Sequence, residues 1–413
     1  MKEEVYLGID TSCYTTSLFF MDRQGRKAAE ARRILKVKPG GCGLQQSEML
    51  YQHTRNLPEL MEEAVQGHEF SLLGIGVSAK PRPREDSYMP AFLAGLGFAR
   101  SLAALYRIPL WQISHQENHL EAALWSAEGP PAKRFLFLHA SGGTTDLLLV
   151  EKEDGNGVAA AEKACAADMP RKEPDQTAAA ELTETKEPGT LTRKDRMAAS
   201  YKLTEIGGSL DLHAGQFVDR VGVALGLGFP AGPALEKLAE RHTEMIEIPV
   251  SVHKTNVSFS GPCTRVLRML TQQEAAGKEN ASTEWKDAEA FHCENAEQLA
   301  ATTVLHEPAA PHNAFAANIA AGVQWGLAET FVRMLRNGAA EHHVHDVILA
   351  GGVSANQWIR NRIIEKLARR QIRVWLPENR YSGDNASGCA AYARRQGEGK
   401  HGTAYLPRQY AAR

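Results

Sequence analysis

The chain has 413 residues, of which 43% are hydrophobic, and its formal net charge is −2 at pH 7. This length is ample for a hydrophobic core and favours two lobes over one. The near-neutral charge argues against a protein that binds nucleic acid over its whole surface. Any RNA contact must therefore come from a local basic patch or through a partner protein.

The cellular setting is predicted from cysteine use and from the pattern of apolar residues. The six cysteines form no CxxC pair, and the opening MKEEVYLGID carries acids where a signal peptide carries positive charge. No apolar run reaches the ~18 residues that a membrane span needs. We expect a cytoplasmic protein with reduced thiols and no membrane contact.

Apolar strands alternate with helices along the chain, which predicts an α/β fold. Strands are expected at residues 5–10, 17–22, 72–79, 109–114 and 345–352, and a pair of strands at 135–151 around a Gly-Gly turn. Helices, recognised by apolar residues at helical spacing, are expected at residues 49–66, 89–107, 232–242, 315–338 and 356–370.

Two stretches, at about residues 152–200 and 271–311, do not fit a compact fold. Both are rich in Ala, Glu, Lys and Thr and contain few large apolar residues. This composition favours surface insertions that are flexible or weakly helical. A partner-binding role for either stretch is the alternative.

Two predicted hairpins carry the first chemistry. GIDTSCYTTSLFF (residues 8–20) and HASGGTTDLLLVE (139–151) each contain a strand, a turn of Gly, Ser or Thr, and a second strand. Free N–H groups and hydroxyls in such turns can bind phosphate oxygens. Asp10 and Asp146 stand where a carboxylate can hold a metal or position a water. One Gly-Gly turn alone is typical of an ordinary hairpin, but SGGTTD resembles the second phosphate loop of the actin, sugar kinase and Hsp70 superfamily, and two such hairpins are typical of it.

A pair of histidines follows the strand at 109–114. Ser114 and Glu117 form a capping box, which predicts a helix beginning at His115. His115 and His119 then lie on one face of that helix, the geometry of a two-histidine metal site. Asp384, in YSGDNAS, is a candidate third ligand, although a helix N-cap is its alternative role. Surface histidines without a metal remain the alternative for the pair, and the rival cluster EHHVHD (341–346) is typical of a solvated turn.

Two further motifs are candidates for nucleotide contact. LAGGVSANQWIRNR (349–362) runs from a strand through two glycines to a helix that starts near Asn356, so backbone and helix N-terminus can approach anionic groups. FVDRVGVALGLGFPAGPALEKLAE (217–240) combines Asp219 with Gly232, which suits a ribose or amino-acid ligand. Helix capping is the alternative for each of these residues taken alone.

The ordered motifs together resemble the TsaD family, formerly named O-sialoglycoprotein endopeptidase or peptidase family M22. The motifs are LGIDTSC, HQENH, ASGGTTDLLLV, GQFVDRVGVALGLGFPAGPALEKLA, VSFSGPCT, LAGGVSAN and SGDNAS. The resemblance covers most of the chain apart from the two insertions. It implies a two-lobed actin-like ATPase fold in which each lobe is a mixed sheet flanked by helices. We expect an N-terminal lobe at 1–126, a C-terminal lobe at 127–384 carrying both insertions, and a helix near 385–398 at the lobe interface.

The resemblance also implies an activity. Family members transfer a threonylcarbamoyl group from threonylcarbamoyl-adenylate to N6 of the adenosine beside the anticodon in tRNAs that read ANN codons. Matching positions make His115, His119 and Asp384 ligands of one divalent metal ion, iron or zinc. Asp10 and Asp146 are the catalytic candidates, and the bound nucleotide is the adenylate or ATP/ADP. The matching substrate contacts are His139, Ala140, Ser141, Gly142, Gly143, Asp219, Gly232 and Asn356.

Partners are implied in the same way. The family works with a TsaB-like paralogue and a TsaE-like ATPase as well as tRNA. The small-residue helix within 91–105 is a candidate packing face for the paralogue, with an internal helix contact as its alternative. The basic segment KPRPR (80–84) is a candidate tRNA contact, with a solvated loop as its alternative.

The sequence departs from the family pattern at several supporting positions. ETSCDET becomes DTSCYTT (10–16), SGGHTQ becomes SGGTTD (141–146), and GE becomes GQ (215–216). The GPG turn is replaced by KPRPREDSYMP (80–90), and FSGLKT becomes FSGPCT (259–264), which lacks the lysine. These changes identify a divergent member and leave open a paralogue that binds nucleotide and metal as a regulatory or interaction module. The Asp146 loop also resembles the general ATP-binding form of the superfamily. A metalloprotease is poorly supported, because HQENH lacks the glutamate that directly follows the first histidine in HExxH.

Overall fold

The computed structural model describes residues 2–37, 43–152, 201–281 and 314–398. In this part of the chain the strands are β1 (Glu3–Asp10), β2 (Thr15–Asp22), β3 (Lys27–Ile34), β4 (Phe70–Lys80), β5 (Leu110–Ser114), β6 (Arg134–Ala140), β7 (Thr145–Lys152), β8 (Tyr201–Gly208), β9 (Ser251–His253), β10 (Asn256–Ser258), β11 (Asp346–Ala350) and β12 (Arg373–Trp375). The helices are α1 (Gln46–Val65), α2 (Phe92–Tyr106), α3 (His115–Ala127), α4 (Ala214–Ala224), α5 (Gly232–Ala239), α6 (Ser260–Ala281), α7 (Ala314–His342), α8 (Gln357–Ala368), α9 (Asn379–Ser382) and α10 (Ser387–Glu398).

Two five-stranded sheets repeat one topology. The first has the order β3-β2-β1-β4-β5 and the second the order β12-β11-β6-β7-β8. In each, three consecutive strands pair antiparallel. A later strand then pairs in parallel with the first strand of the three, and a further strand pairs in parallel with that one. Helices flank both sheets, so the α/β class and the two-lobed actin-like ATPase fold are confirmed.

The chain folds this way because each sheet buries apolar residues against its helices. Residues such as Leu7 and Ile9 of β1 and Leu136 and Leu138 of β6 are fully buried. Complete burial of one such side chain stabilises the fold by about 1.5–3 kcal/mol. The two cores lie against different helices, α1 and α2 for the first sheet and α4 to α8 for the second.

Helices α3 and α10 lie against each other at the first sheet. A Cβ at Gly8 of β1 would come within 2.1 Å of the Ala386 carbonyl oxygen, and one at Gly76 of β4 within 2.1 Å of the Cys389 carbonyl oxygen. Because neither position carries a side chain, α10 and the residue before it can approach β1 and β4 this closely. The lobe border at 126 and the interface role of the helix near 385–398 stay predictions.

The two predicted insertions fall largely outside the described residues. Residues 153–200 and 282–313 are not among them. Residues 271–281, however, continue α6, so the second stretch begins as helix. Of the helices in the described ranges, none combines the length and the apolar character needed to cross a membrane.

Candidate metal and nucleotide site

The start of α3 presents two imidazoles on one face. The Ser114 hydroxyl accepts a hydrogen bond from the Glu117 N–H at 3.2 Å, while the Ser114 N–H donates to Glu117 Oε2 at 2.7 Å. This reciprocal capping box begins the helix at His115, as the sequence predicted. The His115 and His119 side chains are buried, and their Nε2 atoms lie 3.1 Å apart.

Asp384 lies opposite this pair. Its Oδ1 atom is 3.6 Å from His115 Nε2 and 3.4 Å from His119 Nε2. Around a metal with ligand distances of about 2.0–2.1 Å, tetrahedral donors stand about 3.3 Å apart. The three donor atoms already have nearly that spacing, so the residues fit a divalent metal ion. The sequence predicted these three residues as ligands, and the structure brings them together.

The loop that carries Asp384 is held by the helix that carries the histidines. Asn118, between the two histidines, donates from Nδ2 to the Asn385 carbonyl at 2.7 Å and accepts at Oδ1 from the Cys389 N–H at 2.8 Å. Both bonds are buried. This role of Asn118 was not predicted from the sequence, because an asparagine near the start of a helix is typical of a surface position.

The electrostatics of the cluster favour an ionised Asp384. Burial alone would raise the pKa of this carboxyl, but the hydrogen bond from His119 and the positive charge of His115 outweigh burial and hold the pKa at about 2. Burial lowers the pKa of His119, and the charge of His115 lowers it further. His119 therefore favours the neutral form that binds metals.

Asp10 lies behind His115. It accepts a hydrogen bond from the Ser12 hydroxyl at 2.9 Å and another from the Ser78 hydroxyl, and its side chain is fully buried. Asp10 Oδ1 is 3.8 Å from His115 Nδ1, too far for a hydrogen bond but close enough for attraction. Burial lowers the pKa of His115, yet the carboxylates of Asp10 and Asp384 more than offset burial and raise it. Asp10 is thus placed to orient the His115 ring.

Asp146, the carboxylate of the second hairpin, accepts hydrogen bonds from one residue in the segment after β4 and one at the start of α3. Its oxygens accept hydrogen bonds from Arg82 Nη2 at 3.0 and 3.2 Å and from Gln116 Nε2 at 3.0 Å. Arg82 belongs to the segment KPRPR that the sequence offered as a tRNA contact or solvated loop. Arg82 points inward to Asp146, whereas Arg84 is exposed. Two departures from the family pattern, in the 80–90 segment and in SGGTTD, therefore contact each other.

A cavity of about 650 Å³ adjoins Asp384. It brings together predicted substrate contacts that are far apart in the sequence: Gly142, Asp219, Gly232 and Asn356. Asp219 Oδ1 accepts a hydrogen bond from the Ala231 N–H at 2.8 Å, and Asn356 Oδ1 accepts one from the Ile359 N–H at 2.9 Å. Both residues thus have a local structural role as well as a place on the cavity wall. Burial raises the pKa of Asp219, and its hydrogen bond opposes that rise.

The remaining predicted contacts divide between two places. His139, Ser141 and Gly143 line a second cavity of about 460 Å³, which Arg82 and His115 also border. The Ala140 side chain is fully buried in the core of the second sheet, so only its backbone can take part in binding. A Cβ built at Gly142 or Gly143 would meet nothing within 4 Å, which leaves the peptide groups of this turn accessible to a ligand.

Comparison with known proteins gives consistent results. The family model for tRNA N6-adenosine threonylcarbamoyltransferase, TsaD, matches residues 37–169 and 192–391. The curated tRNA N6-adenosine threonylcarbamoyltransferase of Prochlorococcus marinus (strain MIT 9301) is 26% identical over 414 residues, covering 94% of this chain and 90% of the relative. That of Aromatoleum aromaticum is 28% identical over 407 residues, covering 96% and 92%. Among solved structures, a ROK family glucokinase from Streptomyces griseus aligns with a TM-score of 0.43 and 10% identity over 95% of this chain and 99% of that one.

Proposed function

Because the chain belongs to the TsaD family of tRNA N6-adenosine threonylcarbamoyltransferases, we propose that it transfers a threonylcarbamoyl group from threonylcarbamoyl-adenylate to N6 of the adenosine beside the anticodon in tRNAs that read ANN codons. One observation carries the proposal. The two histidines of α3 and Asp384 converge at the edge of a cavity whose walls hold Asp219 and Asn356.

The cavity of about 650 Å³ is of the size that small-molecule sites have, about 300–1,000 Å³. The adenylate would lie along it, with the peptide groups of Gly142, Gly232 and Gly352 against its polar atoms. A Cβ at any of these glycines would meet nothing within 4 Å, so a ligand can approach the backbone. The Asp219 carboxylate would accept a hydrogen bond from a hydroxyl of the ligand, and the Asn356 side chain would line another part of the cavity wall.

His115, His119 and Asp384 are the ligands that we assign to one divalent ion, iron or zinc. A metal bound there supplies Lewis acidity toward an oxygen of the adenylate. The protein's own contribution is orientation. Because it holds the acyl carbon next to the tRNA amine, the reaction no longer bears the entropy cost of bringing two free molecules together. In the reaction, the bond from N6 to the carbamoyl carbon forms, the bond from that carbon to the phosphate oxygen breaks, and AMP leaves, while the proton lost from N6 passes to the departing phosphate or to water. Asp10 orients His115 rather than contacting substrate, because its side chain is fully buried.

A second function is favoured by one specific contact. Arg82 and Gln116 donate hydrogen bonds to the Asp146 carboxylate, which is then less available to a ligand. Both Arg82 and Asp146 stand at positions where the sequence departs from its family. A paralogue that binds nucleotide and metal, and acts as a regulatory or interaction module, would tolerate such a change. A metalloprotease is not supported, since Glu117 between the histidines is engaged in the capping box.

The protein partners belong to the proposal as well. We propose that a TsaB-like paralogue and a TsaE-like ATPase act together with this chain in the cytoplasm. Helix α2 supports such a contact, because it buries Gly95 and Ala99 inward while Leu93 and Leu105 are 45% and 74% exposed. Co-purification with the TsaB-like protein should be lost in a Leu93→Glu, Leu105→Glu variant. Unchanged co-purification would mean that the TsaB-like protein binds a surface other than α2.

A complementation experiment tests the activity. The chain is expressed, with its TsaB-like and TsaE-like partners, in cells depleted of their own TsaD, and threonylcarbamoyl-adenosine in bulk tRNA is measured by mass spectrometry. We expect rescue by the chain and none by a His115→Ala, His119→Ala variant. A His342→Ala, His345→Ala variant, at the end of α7 and in the turn before β11, is the matched control and should rescue. No rescue by the folded parent chain would overturn the transferase and favour the nucleotide-binding paralogue.

A further inference from the structure

A third imidazole stands beside the pair on α3. His139, the penultimate residue of β6, has its ring centroid 4.2 Å from that of His119 and 6.0 Å from that of His115. One ring nitrogen from each of the three histidines lies within 4.8 Å of the other two. The three residues are 7%, 1% and 0% exposed for His115, His119 and His139. Buried polar atoms usually have a hydrogen-bond partner or a metal ion. Three buried imidazoles this close together therefore indicate a group that binds their nitrogens.

The hydrogen bonding of His139 leaves one nitrogen for that group. Its Nδ1 atom lies 3.1 Å from the Thr144 hydroxyl, which in turn lies 2.9 Å from the Ser141 hydroxyl. Its Nε2 atom is buried and, among the described residues, has no hydrogen-bond partner. Leaving a buried nitrogen unpaired costs about 1–3 kcal/mol. Histidines that bind metals usually donate the other ring N–H to an oxygen, and Thr144 is placed to accept it.

Contact with substrate explains His139 less well. The ring is 0% exposed although it borders the second cavity, so a ligand of the size of an adenylate cannot reach it without displacement of its neighbours. A single ion between the histidines can reach it.

We propose that His139 is a ligand of the metal ion that His115 and His119 hold, so that this chain binds the ion with three imidazoles, beside the Asp384 carboxylate. This deepens the proposed function and rests on its metal site. Two imidazoles and one carboxylate are typical of a non-haem iron(II) site, whereas a third imidazole favours zinc. The ion that this chain would prefer is therefore Zn²⁺, which would supply Lewis acidity toward an oxygen of the substrate.

Metal binding by the purified full chain tests the proposal without any activity assay. Zn²⁺ affinity is measured by competition with a chromophoric chelator for the parent chain, for His139→Leu and for His213→Asn. Leucine removes the nitrogen and fills much of the ring's volume. His213 borders the same second cavity but is not one of the three clustered histidines, so it is the matched control. We expect His139→Leu to bind Zn²⁺ at least about 100-fold more weakly, since even an outer-shell change costs about 10–100-fold, and His213→Asn to match the parent chain.

A spectrum separates lost coordination from a damaged fold. The Co²⁺-loaded parent chain should show the intense visible absorption of a site with few ligands, and His139→Leu should lose or shift those bands while its circular dichroism is unchanged. If circular dichroism shows that leucine disturbs the fold, His139→Gln replaces it in both measurements. Equal Zn²⁺ affinity and equal Co²⁺ spectra with and without His139 would overturn the proposal, as would failure of the parent chain to bind either metal. Zinc binding that needs His139 in a chain that makes no threonylcarbamoyl-adenosine would overturn the transferase and leave this inference standing.

Discussion

The ion pair between Arg82 and Asp146 gives the sharpest prediction about stability. Asp146 is 2% exposed, and replacing Arg82 by methionine would leave it, within the described part of the chain, with the Gln116 amide as its remaining side-chain donor. Removing one partner of a buried ion pair costs about 3–5 kcal/mol. Because the Arg82 side chain is 29% exposed and Gln116 still donates at 3.0 Å, we expect a smaller loss, about 2–3 kcal/mol.

The assay is equilibrium unfolding in urea, followed by tryptophan fluorescence and by far-ultraviolet circular dichroism. Free energies are taken where the two probes give coincident transitions, as a two-lobed chain requires. Arg82→Met, Asp146→Asn and the double variant form a cycle, for which residues in direct contact give a coupling energy of about 1–3 kcal/mol. Arg84→Met, at an exposed arginine two residues away, is the control and should change stability by less than about 0.5 kcal/mol.

A coupling energy near zero would refute this reasoning. So would an Arg82→Met variant as stable as the Arg84→Met control. Either result would mean that Arg82 is solvated, which is the alternative that the sequence left open for the KPRPR segment.

Two further predictions concern backbone geometry and pH. Gly351 has φ of +96°, and a Cβ there would lie 2.2 Å from the Ala140 carbonyl oxygen, so Gly351→Ala should lower the free energy of unfolding by about 2 kcal/mol or more. Gly352→Ala, with open space around its Cβ, is the control and should change stability little. Equal thermal midpoints for the two variants would contradict the geometry. Asp211 has a pKa well below its usual value, because hydrogen bonds from Ser258 and Ser260 outweigh the effect of burial. Asp211→Asn should therefore lower stability by about 1 kcal/mol, and because the folded-state pKa is depressed, the deficit should persist above pH 4 and narrow as pH falls through the folded-state pKa. A deficit in the urea midpoint that fades between pH 7 and pH 5 would assign the effect to another group.

Elements with a strong local pattern were predictable from the sequence. The apolar runs that became β1, β4 and β6 are buried in sheets, so their composition carries the signal. The edge strands β3 and β8 were missed. β3 reads KAAEARRI and is mostly half-buried or exposed, and the first six residues of β8 are also half-buried or exposed. Without a buried face on both sides, an edge strand leaves little hydrophobic pattern to read.

The site divides in the same way. The helix start at His115 was predictable because a capping box is closed by residues three apart, and the His115–His119 pair follows from the helical repeat. The place of His139 was not, because its distance from His119 depends on how β6 lies against α3. The pairing of Arg82 with Asp146 was equally hidden, since it joins residues 64 positions apart, one in the segment after β4 and the other in β7.

The sequence by itself therefore determined the α/β class, the two hairpins, the helix that presents two imidazoles, and the family whose motif order the chain shares. These depend on spacings of a few residues, which local hydrogen bonding and hydrophobic periodicity impose on any chain. The family resemblance also predicted Asp384 as the partner of those imidazoles. Only the tertiary structure decided that a third histidine stands beside them and that Asp146 is paired with an arginine. Such contacts depend on how two sheets and the helices on them pack together, and that arrangement is set by burial across the whole molecule rather than by neighbours in the sequence.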